Sequence, residues 1–359
     1  MKPRTSIVIA VVAFAALVAV FALRGREWGS STGPAKVAEG AHEAPTAPGA
    51  MPPRPAVLVT RPVQRVGATG KPRTLSPLML DLARNRNFKE HYARLKALTS
   101  RTAEESYMLA QIIDQCGKVA NRKKPASTDS YYNPDAERRF MESLPADQPQ
   151  RARRIAAFEQ INFNPCAGLE GIVSTEAEVR ALLESAAAAG DPKARAQLIV
   201  RGVWDSILDP ADPAQRGRLA TISDSQLDSL KTVLASGDPR ALVDAIEVFS
   251  LPLGNLTLQA GPSQVPMDYA AIYATLTLAA CDLGYPCGPD SRYVLQWCAF
   301  NSQCDAATYP DHVFYYGLAP RPAQSVLEYE GALMRVIDGG DWSYFTFHRG
   351  PSPWLLPIR

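Results

Sequence analysis

Histidine and the common catalytic motifs are what this chain most lacks. Only four histidines, His42, His91, His312 and His348, occur among 359 residues. Residues 76–359 contain no G-x-S-x-G, H-E-x-x-H, phosphate-loop or G-x-G-x-x-G pattern. A serine or cysteine nucleophile needs a base such as histidine within hydrogen-bonding distance. The sequence therefore indicates no catalytic residue and no cofactor, and it leaves enzymatic activity undecided, leaning against it.

Charge and proline are absent from residues 6–23, SIVIAVVAFAALVAVFAL. In a helix this run rises about 27 Å, close to the roughly 30 Å hydrocarbon core of a bilayer. It is longer than the 7–15 apolar residues typical of a cleaved signal peptide. We therefore predict that residues 1–24 form a cytoplasmic stub and a transmembrane signal-anchor. The alternative is a secreted protein cleaved after Ala22, because Val20-Phe21-Ala22 approximates a cleavage site.

Aromatic residues are absent between Trp28 and Phe88, where prolines are frequent. Such a segment buries too little apolar surface to offset the entropy of ordering it. We interpret residues 25–75 as a disordered linker. Residues 1–75 carry a net charge of +7, which leaves −5 for the rest of a chain whose net charge is +2. An acidic body argues against nucleic-acid binding.

Helix signals dominate the body, residues 76–359. Ser76, Asp191 and Asp238 each precede a proline, as an N-cap precedes the first residue of a helix. Thr102 and Thr175 each precede a glutamate by three residues, which is the capping-box pattern. Apolar residues recur between these starts at a spacing near 3.6, and no convincing alternating strand precedes residue 340. The sequence predicts an all-α domain of antiparallel helical hairpins.

Two stretches of the body, LLESAAAAGDPKARAQL and SLKTVLASGDPRALVDA, align on a Gly-Asp-Pro joint. Gly190 and Gly237, 47 residues apart, stand where a left-handed residue ends a helix. Ala194 and Ala241 follow at matching positions and allow close helix packing. These joints resemble the turn of the short α/α repeats of the tetratricopeptide-like superfamily. The resemblance implies a helical array with a groove for a protein or peptide.

Cysteines are concentrated in residues 266–359, which hold four of the six. Their C-x5-C spacing is unusual for zinc and no histidine lies among them, so we predict disulfides and no metal. Disulfides behind an export segment place the body outside the cytoplasm, in the periplasm or beyond. The six residues are Cys116, Cys166, Cys281, Cys287, Cys298 and Cys304.

The pairing of the cysteines depends on a helix predicted from residue 290 to about residue 300. This rod of about 15 Å separates Cys287 from Cys304, whereas bonded Cα atoms lie within about 7 Å of each other. Local pairs are therefore preferred over a crossed pairing of Cys281 with Cys298 and Cys287 with Cys304, which stays open. The preferred bonds are Cys116–Cys166, Cys281–Cys287 and Cys298–Cys304.

The same C-terminal part, as distinct from the helical hairpins of residues 76–265, is rich in aromatic residues. His312, Tyr315, Tyr316 and Trp342 form a candidate pocket there, although an aromatic core beneath a disulfide-rich cap is the simpler interpretation. The acid pairs Glu328/Glu330 and Asp338/Asp341 are typical of caps or solvated surface. After a last helix near residues 321–338, the tail is predicted to pack on the body with one short strand.

Together these features predict a membrane-anchored envelope protein, held in the bilayer by residues 6–23, whose helical body binds a protein or peptide. The alternative is an envelope hydrolase that acts on cell-wall or polysaccharide material through C-terminal carboxylates. A shallow groove without buried acids would favour the binding protein. A pair of carboxylates in a deep cleft would favour the enzyme.

Overall fold

A computed structural model describes residues 74–120, 134–169, 171–173, 175–207, 219–250, 253–318 and 320–350. The predicted anchor and nearly all of the predicted linker lie outside these residues. No helix of the described part combines the length and the apolar character needed to cross a membrane.

The described chain is mainly helical, which confirms the all-α part of the predicted fold class. It also contains one short π-helical turn, Val313–Gly317. The elements, in chain order, are α1 (Pro77–Ala83), α2 (Phe88–Ala97), α3 (Ala103–Ala120), α4 (Pro134–Ser143), α5 (Arg151–Ile161), α6 (Glu176–Ala188), α7 (Pro192–Ile207), α8 (Asp224–Ala235), α9 (Pro239–Phe249), β1 (Leu256–Ala260), β2 (Val265–Pro266), α10 (Tyr269–Asp282), α11 (Arg292–Asn301), α12 (Tyr309–His312), α13 (Pro320–Gly339) and β3 (Phe345–Arg349).

Both Gly-Asp-Pro joints have the backbone that the sequence predicts. Gly190 has φ +92° and Gly237 has φ +60°, so each is left-handed where a helix ends. The Asp191 carboxylate then accepts hydrogen bonds from two backbone N–H groups at the start of α7, at 2.8 and 3.1 Å. The Asp238 carboxylate accepts the equivalent pair in α9, at 2.9 and 2.8 Å. Helices α6–α7 and α8–α9 are therefore two hairpins with the same joint.

The hairpins stack through their second helices. Helix α7 packs against α6, α8 and α9, while α3 packs on the outer face of α6 and α10 on α9. Helix α3 presents Met108, Leu109, Ile112 and Ile113 to this core, all at most 1% exposed. Burying each such side chain contributes about 1.5–3 kcal/mol. The central core is thus continuous from α3 through the hairpins to α10 and α13.

A second, smaller cluster joins α5 to α11, far apart in sequence. Phe158 of α5 stacks on Phe140 of α4, with ring centroids 4.2 Å apart. Arg154 donates from Nε to the Ala299 carbonyl at 2.7 Å and from Nη2 to the Phe300 carbonyl at 3.3 Å. These are end carbonyls of α11 that have no partner inside the helix. We call this packing, built on Ala157, Phe158, Ile161, Cys298, Ala299 and Cys304, the α5–α11 cluster.

A three-stranded antiparallel sheet in the order β2–β1–β3 corrects the prediction of no strand before residue 340. The pairs run from Leu256↔Arg349 to Ala260↔Phe345. In β1, Thr257 is buried along with its leucine neighbours. The sequence of β1, LTLQA, does alternate apolar and polar residues, and this five-residue strand signal was missed. The short strand predicted in the tail is confirmed as β3.

The structure forms the preferred disulfides. The Cα–Cα distances are 5.3 Å for Cys116–Cys166, 5.7 Å for Cys281–Cys287 and 4.1 Å for Cys298–Cys304. Helix α11 occupies the predicted rod, so the crossed pairing does not form. The first bond ties α3 to the segment before α6, and the other two close short loops at the ends of α10 and α11.

Candidate functional site

A buried cation joins the two Gly-Asp-Pro joints. Lys193 Nζ lies 3.1 Å from Asp191 Oδ2 and 3.4 Å from Asp238 Oδ2. Burial by itself lowers the pKa of Lys193, but Asp238 and Asp191 outweigh it and the pKa is raised. The ammonium is therefore charged and bridges the capping carboxylates of two neighbouring hairpins.

The matching position of the second joint is Arg240, which joins α9 to α3. Arg240 Nε forms an ion pair with Asp244 Oδ1 at 3.0 Å and donates to the Tyr107 hydroxyl at 3.3 Å. The Tyr107 hydroxyl donates to Asp244 Oδ2 at 2.5 Å. Arg240 also reaches the Tyr285 hydroxyl at 3.4 Å. Burial raises the pKa of Asp244, although Arg240 opposes this. Because Asp244 is 1% exposed, the network holds helices together and gives a substrate no access.

Sequence reasoning missed this network, although one feature could have indicated it. Lys193 and Arg240 are separated by the same 47 residues as the two glycines. A cation repeated two residues after each capping aspartate indicates an acidic partner for the cation at each joint. The aspartates were recognised as caps, but their second role was not.

The candidate pocket residues divide into two groups. His312 stacks on Trp297, with ring centroids 3.1 Å apart, and lies 6.2 Å from the Tyr316 ring. Burial lowers the pKa of His312 to about 4, so the ring is neutral near pH 7. Tyr315 lies next to Tyr316 on the π-helical turn and is exposed. Trp342 instead packs against aromatic rings of β3, Phe345 and Phe347, at 6.4 and 5.9 Å.

The candidate carboxylates have different surroundings. Glu330 is buried at 4% exposure, whereas Glu328, two residues away on α13, is exposed. Asp341 accepts the backbone N–H of Ser343 at 2.9 Å, which is an Asx-turn just after the end of α13.

An open groove of about 460 Å³ lies along α7 and α8. Leu198 and Ile199 of α7 give it apolar surface, together with the α6 residue Ala187. The opposite wall is polar and belongs to α8. The groove is lined by Ala187, Arg195, Leu198, Ile199, Ser225, Gln226, Asp228, Ser229 and Thr232. Unlike the charge network and the histidine stack, this surface is open to a ligand.

No protein-family model, curated protein or solved structure matches this chain. The geometry of the described residues is therefore what a functional proposal can rest on.

Proposed function

We propose that this chain is a membrane-anchored envelope protein whose helical body binds a protein or peptide in the groove between α7 and α8. The observation that carries the proposal is the groove itself. Its volume of about 460 Å³ falls in the range of roughly 300–1,000 Å³ typical of ligand sites. Apolar surface flanked by hydroxyl and charged groups suits a peptide, which presents both apolar side chains and a polar backbone.

The composition of the groove favours binding over hydrolysis. Glycoside hydrolysis normally uses two carboxylates placed on either side of the scissile bond. Asp228 is the only acid among the residues that line this groove, and the described carboxylates Asp191 and Asp244 are buried in ion pairs with Lys193 and Arg240. The alternative of an envelope hydrolase therefore finds less support.

The proposed location rests on two features. Three disulfides suit an oxidising compartment, and the run 6–23 is long enough to serve as an anchor. A reporter that is active only outside the cytoplasm, fused after Arg359, should be active. The protein should also stay with membranes during a carbonate wash. Activity of a cytoplasm-only reporter at the same position would contradict this placement.

Blocking the groove tests the binding function. The full-length chain, tagged at its C-terminus, would capture partners from envelope extracts. Ser229→Arg places a long side chain in the groove, whereas Ser100→Arg adds the same side chain to an exposed loop before α3. Partners retained by the wild type and Ser100→Arg but lost by Ser229→Arg would support the proposal. Equal retention by all three would contradict it.

A further inference from the structure

Arg195 distinguishes the groove chemically. It is half-buried on the α7 wall, and its guanidinium has no ion pair or hydrogen bond with any residue that the structure describes. Its neighbours differ in this respect. Arg201 pairs with Asp114 at 3.1 Å and Glu176 at 2.6 Å, and Arg180 pairs with Asp205 at 2.8 Å. A guanidinium has five N–H donors and no acceptor, so Arg195 offers its donors to a ligand in the groove.

The opposite wall of the groove carries hydroxyl groups. Ser225, Ser229 and Thr232 lie at positions i, i+4 and i+7 of α8, which places them on one face of the helix. The one acid on this wall, Asp228, has Lys231 Nζ 3.4 Å away, which partly offsets its charge. Hydroxyl groups both donate and accept hydrogen bonds. The Thr232 hydroxyl already donates to the Asp228 carbonyl at 3.0 Å and can only accept from a ligand, whereas the Ser229 hydroxyl can do both. The charge that the groove prefers in a ligand is therefore set on the other wall, by Arg195.

We propose that the ligand of the groove is an acidic peptide segment whose carboxylate pairs with Arg195 while a neighbouring apolar side chain packs on Leu198. The inference rests on the proposed function, since it names the partner class of the same groove. A planar guanidinium matches a carboxylate in two parallel hydrogen bonds, which are stronger than bonds between neutral groups. The body has a net charge of −5, so unspecific attraction would favour basic ligands. Residues 1–75 carry +7, so a preference for acidic peptides reports on Arg195 where Arg195→Glu reverses it.

Selection from random 12-residue peptides displayed on phage tests this inference with the immobilised full-length chain. Wild-type protein should enrich peptides that carry Asp or Glu at a recurring position beside an apolar residue. Arg195→Glu should enrich Lys or Arg at that position instead. Arg139→Gln, which neutralises an exposed arginine on α4, is the control and should select the wild-type pattern.

A double-mutant cycle on one selected peptide then measures the contact. Arg195→Gln should weaken binding about tenfold, as should replacing the peptide's acid by its amide. Both changes together should weaken it no more than either one, because each removes the same pair.

The outcomes separate the two proposals. Peptides that are enriched by the wild type and lost by Ser229→Arg, but without a preference for acids, would overturn the acidic-ligand inference and leave the groove as a binding site. Enrichment no greater than that of Ser229→Arg would contradict both proposals.

Discussion

Lys193 is a buried cation between the two carboxylates that begin α7 and α9. Lys193→Met keeps most of the side-chain volume but leaves Asp191 and Asp238 near each other without their shared cation. Removing one partner of a buried ion pair costs about 3–5 kcal/mol, so the free energy of unfolding in urea should fall by about that amount. Lys231→Met is the control, because Lys231 pairs at the surface with Asp228 and should lose less than about 1 kcal/mol. Equal losses would mean that the bridge adds no stability.

His312 should make stability depend on pH. Burial lowers its folded-state pKa to about 4, whereas the unfolded chain binds a proton below a pKa of about 6.5. The stabilisation of the folded state by neutral His312 is complete above pH 6.5. It is lost as pH falls from 6.5 towards 4, and the loss at pH 4.5 is about 2–3 kcal/mol of unfolding free energy.

The variant His312→Phe should lack that loss, measured as the change in unfolding free energy between pH 7.5 and pH 4.5. Comparing it with wild type removes the effect of carboxylates that titrate in the same range. His348→Phe, on an exposed position of β3, should behave as wild type. A His312→Phe variant that loses as much stability on acidification as wild type would contradict the argument.

For single residues, the sequence predicts the role within the residue's own helix but not its contacts with other helices. Asp191 and Asp238 were recognised as caps because the proline that follows is adjacent in sequence. Their contact with Lys193 depends on how the two hairpins stack, which no local pattern encodes. The contacts of His312 likewise could not be predicted from local sequence, since Trp297 rather than Trp342 stacks on it.

The left-handed glycine of the Gly-Asp-Pro joint between α6 and α7 can be tested by substitution, because two glycines of the chain have free space around them. A Cβ added at Gly190 or at Gly331 would meet no atom within 4 Å. Gly190→Ala forces a side chain into the left-handed region and should destabilise by about 1 kcal/mol. Gly331→Ala lies within α13 and should stabilise by about 0.5–1 kcal/mol. Shifts of the same sign in thermal melting would contradict a conformational role for the joint.

Helix starts and joints could be predicted because their chemistry is local. A capping side chain, the following proline and the preceding glycine all act within five residues. Strand β1 carries a local signal, the alternation LTLQA, that the prediction overlooked. Its pairing with β3 has no local signal, because β3 lies about 90 residues further along the chain. The sheet is therefore a product of tertiary packing.

The disulfides affect the stability of the whole molecule, and one of them closes a long loop. Cys116–Cys166 spans 50 residues and Cys281–Cys287 spans six. In the chain-entropy account these bonds stabilise by about 4 and about 2 kcal/mol respectively. Replacing Cys116 and Cys166 together by Ala should therefore lower the Tm more than replacing Cys281 and Cys287. The reverse order would show that entropy of the unfolded chain is not the main contribution.

Their pairing was predictable because a helix is a rod of known length. The α5–α11 cluster could not be predicted, because nothing in the sequence of α5 identifies a partner about 140 residues later. Helix periodicity shows that a face is apolar, but only the assembled fold shows what covers it.

The spacing of the cysteines also affects the order in which bonds form. In a chain that emerges N-terminus first, Cys166 precedes Cys281 by 115 residues. At roughly 5–20 residues per second, synthesis gives the first two thiols a lead of about 6–23 s. During that interval Cys116 and Cys166 have no competitor for oxidation. The four later cysteines then meet only one another, and their short loops favour neighbours. If the chain is exported in this order, as proposed, the fifteen pairings open to six thiols are reduced to a few successive choices.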